Sequence, residues 1–79
     1  MAEVFEVYGR TTCQWCDAVK ELLTNNNKQF TFYNIETDIQ AREQFIKKFP
    51  GAKSVPQVTV NDKWLGGYED TREHIYGHN

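Results

Sequence analysis

Long apolar runs are missing from this 79-residue chain: no more than two hydrophobic residues ever stand together. A membrane span needs about 20 and a signal-peptide core about 7 to 15, so neither is expected. The opening residues, Met1-Ala2-Glu3-Val4, bring no basic cluster of the kind that precedes an export signal. The chain is therefore expected in the cytoplasm, where thiols stay reduced. Basic charge is scarce as well. Nine Lys and Arg stand against eleven Asp and Glu, for a net charge of −2, and Lys47-Lys48 is the sole adjacent basic pair. A nucleic-acid binder carries a basic stripe, so no such partner is expected. Cysteine is nearly absent, with Cys13 and Cys16 alone, whereas small domains built on disulfides carry four or more. A bridge closing so short a loop would contribute only about 2 kcal/mol. What is present is ordinary for a globular unit: 39% hydrophobic and 25% charged residues. Without a repeat, linker or low-complexity tract, residues 1–79 read as one domain and, with no spare apolar stripe, as a monomer.

Sequence periodicity gives the elements. Val4-Phe5-Glu6-Val7-Tyr8 reads as a strand ending at Gly9. From about Cys13 the pattern turns helical, with Cys16, Val19, Leu22 and Leu23 on one face, and Asn25-Asn26-Asn27 ends it. Phe30 to Ile35 reads as a second strand. Thr37-x-x-Gln40 has the form of a capping box that opens a helix with Ala41, Phe45, Ile46 and Phe49 on its buried side, stopped by Pro50-Gly51. Strands Gln57–Val60 and Lys63–Leu65 follow across an Asn61-Asp62 turn. Asp70-x-x-Glu73 reads as the cap of a last helix running to Tyr76 and closed by Gly77. The order βαβαββα predicts an α/β domain whose mixed four-stranded sheet is flanked by helices. Strands one and two should be parallel through a right-handed crossover, and the last hairpin antiparallel.

Cys13 and Cys16 form one Cys-x-x-Cys where a strand and loop enter a helix. Unpaired N–H groups and the helix dipole favour an anion there, and a thiolate is that anion. Only the thiolate attacks a disulfide, which makes Cys13 the candidate nucleophile with a lowered pKa. Cys16, one turn on and on the apolar face, is the candidate resolving thiol. Arg10 adds a nearby cation, whereas Asp17 adds a negative charge that works against it. The competing reading is a zinc site completed by His74 and His78. However, 57 residues separate Cys16 from His74, against about 12 to 15 in a zinc finger. The two histidines are read instead as solvated side chains.

Three segments together carry a family resemblance: Arg10-Thr11-Thr12-Cys13-Gln14-Trp15-Cys16, Ser54-Val55-Pro56-Gln57 and Gly66-Gly67-Tyr68-Glu69-Asp70. In order and spacing they resemble the signatures of the glutaredoxins over essentially the full chain. The resemblance implies a thioredoxin-like fold and glutathione-dependent thiol–disulfide oxidoreductase activity. Glutathione would serve as reducing co-substrate, with no permanently bound cofactor and no metal. Val55-Pro56 would be a cis-proline turn whose Val55 backbone receives the cysteinyl part of glutathione. Glu69 and Asp70 would hold its γ-glutamyl end, Arg10 and Gln57 its glycine carboxylate, and Gly67 would let backbone approach the ligand. The partners implied are glutathione and disulfide-bearing proteins. Ribonucleotide reductase is one family partner, which no residue here selects.

The chain departs from the family by having Gln14-Trp15 in place of Pro-Tyr. This change adds a backbone N–H near the nucleophile, and Trp15 keeps an aromatic surface for substrate. The departure keeps two alternatives open: a redoxin reduced by thioredoxin reductase, and a glutaredoxin binding a [2Fe–2S] cluster between subunits.

Overall fold

The computed structural model describes residues 3–77. The elements run β1 (Val4–Gly9), α1 (Gln14–Asn25), β2 (Gln29–Asn34), α2 (Ile39–Lys48), β3 (Gln57–Val60), β4 (Lys63–Gly66) and α3 (Tyr68–Tyr76). The sheet order is β2-β1-β3-β4, with β1 parallel to β2 and the pairs β1/β3 and β3/β4 antiparallel. This is the mixed sheet expected from the βαβαββα order. The hairpin between β3 and β4 turns at Asn61 and Asp62, both with positive φ (50° and 68°), as a two-residue turn of this kind requires.

Strand β1 is the central element, and its alternation divides the core. Phe5 and Val7 point to one face, where Val19 and Leu23 of α1 and Val58 of β3 join them at 0% exposure. Tyr8 points to the other face and packs with Phe45 and Phe49 from the α2 side. A parallel β1–β2 pair fed by α1 brings the ends of both strands, and hence the start of α1, to one end of the sheet. The β3 start lies at that same end, because Gln57 pairs with Tyr8.

Three sequence expectations need correction. The cap of α2 is Asp38, not Thr37. The Asp38 carboxylate accepts the N–H groups of Gln40 (3.0 Å) and Ala41 (3.2 Å), and Asp outranks Thr as such an acceptor. The Thr37 N–H is held by the Asn34 side chain instead, at 3.3 Å. Ile46 is 63% exposed rather than buried. Ala41, Phe45 and Phe49 recur every four residues along one narrow line, and Ile46 lies a helical step off it. Helix α3 starts at Tyr68 with Gly67 as its cap, three residues before Asp70. Asp70 contributes from within the first turn: its carboxylate accepts the Gly67 N–H at 3.3 Å.

Candidate active site

Cys13 is the last residue of the loop before α1. Its extended backbone (φ −154°, ψ 105°) makes it the helix cap, and its Sγ accepts the Cys16 N–H at 3.1 Å. A sulfur in this position meets the unpaired donors of the first turn, where negative charge is favoured. Cys13 is half-buried and Cys16 is fully buried. The two sulfurs are joined in a disulfide with the Cα atoms 5.2 Å apart. Gly9 makes room for this arrangement. A Cβ there would stand 2.5 Å from Cys16 Sγ and 2.9 Å from Phe32, so only a bare Cα lets the buried sulfur lie against the end of β1.

The loop that delivers Cys13 is tied to the end of β2. Asn34 Nδ2 donates to Thr11 Oγ1 at 2.9 Å, while its Oδ1 accepts the Glu36 N–H, also at 2.9 Å. The Glu36 carboxylate in turn accepts the Thr11 N–H at 3.4 Å. Asn34 thus organises two loops at once. No periodic signal marks it, although Asn at a strand end is a common turn residue.

Across a cleft from Trp15, the Val55-Pro56 peptide is cis. Pro56 is buried and Val55 half-buried. Gly67 runs close by, since a Cβ on it would lie 3.4 Å from the Pro56 carbonyl. Gly66 has φ +131°, and a Cβ there would run into the Asp70 carboxylate, so glycine is required. Glu69 and Asp70 stand exposed in the first turn of α3. Trp15, 55% exposed, leans on Tyr68 with ring centroids 5.2 Å apart.

These parts enclose an open cleft of about 760 Å³. Of the residues expected from sequence, Trp15, Val55, Pro56, Gln57, Gly67, Glu69 and Asp70 line it together. Arg10 does not. It opens on a neighbouring depression with Lys53, which shares Ser54 and Val55 with the cleft. The site is therefore acidic at the α3 end and basic beyond the Ser54–Val55 ridge. Gln57 is placed differently from expectation. Its Nε2 donates to the Ser54 carbonyl at 3.1 Å and its Oε1 accepts the Trp64 indole N–H at 2.9 Å. Trp64 and Leu65, which sequence reasoning passed over, line the same cleft. The tryptophan two residues before the double glycine was the available signal. His74, expected to be solvated, meets Glu3 at 2.7 Å, and His78 lies outside the described residues.

A helix-capping Cys-x-x-Cys at the end of a four-stranded mixed sheet, with a cis-proline turn at that same end, defines the thioredoxin-like class of folds. Within that class, the family model for glutaredoxin matches residues 5–65. A probable glutaredoxin of Synechocystis is 39% identical over 72 residues, which cover 91% of this chain and 62% of that protein. This chain thus spans just under two thirds of that relative's length. Glutaredoxin 3 of Escherichia coli is 34% identical over 70 residues, covering 89% of this chain and 82% of its own. The crystal structure of a buckwheat glutaredoxin–glutathione complex superposes with a TM-score of 0.75 at 22% identity, covering 92% of this chain and 69% of that one, a likeness of fold. The chain belongs to the glutaredoxin family and carries a redox-active cysteine pair. Among the described residues no helix is long and apolar enough to cross a membrane.

Proposed function

We propose that this protein is a glutathione-dependent thiol–disulfide oxidoreductase, acting as a monomer in a reducing, cytoplasmic compartment. One observation carries the reading: a half-buried Cys13 sulfur caps α1 with the buried Cys16 sulfur directly behind it. Such a pair divides the labour. The reduced Cys13 thiolate, held by the helix start, attacks one sulfur of a substrate disulfide. That S–S bond breaks, a mixed disulfide forms on Cys13, and the departing thiolate takes up a proton. Cys16 then loses its proton and attacks the Cys13 sulfur, which releases the second substrate thiol and leaves the Cys13–Cys16 disulfide. Two glutathione molecules return the pair to dithiol by the same exchanges and leave as glutathione disulfide. On a glutathione mixed disulfide, Cys13 takes the glutathionyl group and a second glutathione removes it.

The cleft supplies matching chemistry. The backbone at Val55 would receive the cysteinyl segment beside Pro56. The N–H groups at the start of α3, approached closely at Gly67, would take the γ-glutamyl carboxylate, with Glu69 and Asp70 facing the ammonium group. Arg10, across the Ser54–Val55 ridge, would take the glycine carboxylate. The Gln57 amide is engaged at both ends and acts as a brace rather than a ligand contact. Trp15 offers an exposed surface to protein disulfides. The buckwheat relative, crystallised with glutathione, adds support from the fold.

The test is NADPH consumption coupled through glutathione reductase, with glutathione and a small glutathione mixed disulfide. Turnover should vanish in Cys13→Ser. In Cys16→Ser, removal of glutathione from the mixed disulfide should persist while reduction of a protein disulfide fails. Equal loss of both activities in Cys16→Ser would defeat the assigned roles. No turnover with glutathione but activity with thioredoxin reductase would leave the cysteine chemistry and replace the reductant. A brown colour after anaerobic purification would point instead to a bridging [2Fe–2S] cluster.

A further inference from the structure

We propose that Trp64 is a positioning and specificity-determining residue, which sets the affinity of the cleft for glutathionylated substrates by locking Gln57 and, through it, the Ser54–Val55 turn. The inference rests on the reading that this cleft takes glutathione. Gln57 is the first residue of β3, paired with Tyr8, so Ser54 to Pro56 lie beyond the last rung of the sheet. That turn lacks the ladder that holds β3. What holds its Ser54 carbonyl is the Gln57 amide, at 3.1 Å. Gln57 is only 9% exposed, and a buried amide requires partners at both ends.

Trp64 decides which way that amide faces. An indole N–H can only donate, so the Gln57 atom 2.9 Å away must be the accepting oxygen. The NH2 group is then the end turned toward Ser54. Trp64 itself is well placed for this task. It stands opposite Thr59, beside an irregularity in the β3–β4 register between Val58 and Thr59, and such bulges re-aim side chains. Its ring meets Phe49 edge to face, with centroids 5.3 Å apart. It also faces into the cleft, so one residue forms a wall of the site and holds the backbone beside it. None of the hydrogen bonds or ring contacts in this chain involves either cysteine.

Trp64→Phe keeps a ring on Phe49 and removes the N–H. Gln57→Leu removes the brace from the other side. In the coupled assay, Trp64→Phe should raise KM for a small glutathione mixed disulfide about fivefold, the value of one hydrogen bond, and Gln57→Leu, which removes two, at least as much, with kcat unchanged in both. The double variant should rise no further than Gln57→Leu alone, since Trp64 acts through Gln57. Alkylation of reduced Cys13 by iodoacetamide should keep the wild-type rate, which a general loosening of the fold would not allow. An unchanged KM in Trp64→Phe beside a fully active wild type overturns the inference alone. A KM rise matched by a loss of alkylation rate also overturns it, as would additive effects in the double variant. A wild type without glutathione turnover removes the proposed function and this inference together.

Discussion

The two faces of the sheet are built from different materials. The face under α1 and α3 is dry and apolar, with Phe5, Val7, Val19, Leu23 and Val58 all at 0% exposure. The face under α2 holds Tyr8, Phe45 and Phe49, and then turns polar. Glu6 accepts Lys48 Nζ at 2.7 Å and Thr59 Oγ1 at 3.2 Å on one carboxylate oxygen, and Tyr33 OH at 3.4 Å on the other. The cause is coverage. Two helices shelter one face, whereas a single ten-residue helix must serve the other. Where no helix reaches, hydrogen-bonded charge and phenol replace apolar packing, because an unpaired polar group there would be costly. The candidate site joins the two. Cys16 and Tyr68 belong to the dry side, while the Val55 turn and the Phe49-backed Trp64 belong to the α2 side. The cysteine pair therefore stands on the better-packed half, and the Val55–Trp64 wall of the cleft on the thinner one.

The largest expected effect separates these roles by truncation. Phe5→Ala should cost about 3 to 5 kcal/mol of stability through the cavity it leaves. That is a large share of what a domain of this size holds. Phe49→Leu should cost about 1 kcal/mol, yet raise KM for a glutathione mixed disulfide in step with Trp64→Phe, because Phe49 supports that indole. Urea unfolding and the coupled assay measure both quantities. If Phe49→Leu left KM untouched, the division of labour between the faces would not hold.

A smaller effect probes the polar network on the α2 side. The hydrogen bond to Glu6 holds the Lys48 ammonium above the usual lysine range. Burial likewise pushes the Tyr8 phenol above its ordinary value. Both shifts have one sign. A group raised in the folded state contributes fully below its unfolded value and loses that contribution as pH rises through the folded one. The α2 face should therefore weaken on the alkaline side, above about pH 10. Lys48→Met should cost up to about 1 kcal/mol at pH 7 and remove part of the alkaline dependence, read from urea midpoints between pH 7 and 11. An unchanged alkaline slope in the variant would assign that loss to other groups.

Most of this architecture was legible from local pattern because its causes are local. Phe5, Val7 and Tyr8 declare two buried faces by alternation, Asn61-Asp62 declares a turn, and Cys13 before Cys16, Val19 and Leu23 declares a helix start. The cap of α2 was missed because Thr37 and Asp38 are both good caps. The choice is made by Asn34, which takes the Thr37 N–H for itself. Ile46 was misplaced because a helical face is only as wide as the neighbour that covers it. The Gln57–Trp64 contact, which joins β3 to β4 across the bulge, and the Asn34–Thr11 contact, which joins β2 to the cysteine loop, span distances that periodicity does not address. At the site, the residue types were readable, but the brace that holds them was not.

The smallest expected effect concerns the edge of the dry face. There Glu3, just before β1, meets His74 of α3 at 2.7 Å and Lys28 at 3.4 Å, and the His74 ring stands edge-on to Phe5. The hydrogen bond to His74 is the leading cause that holds the Glu3 carboxyl below the usual carboxylate range. The sign is opposite to that of Lys48. A group lowered in the folded state contributes above its unfolded value and loses that contribution as pH falls through the folded one. The dry face should thus loosen at its edge in acid, while the α2 face loosens in alkali. Because both Glu3 and His74 are about one third exposed, the contribution is under about 1 kcal/mol. Glu3→Gln keeps an acceptor for the ring nitrogen and removes the charge. Its urea midpoint should fall slightly at pH 7 and converge with that of wild type near pH 3. Parallel curves over that interval would mean that the charge on Glu3 plays no part, and the contrast in pH response between the two faces would rest on Lys48 and Tyr8 alone.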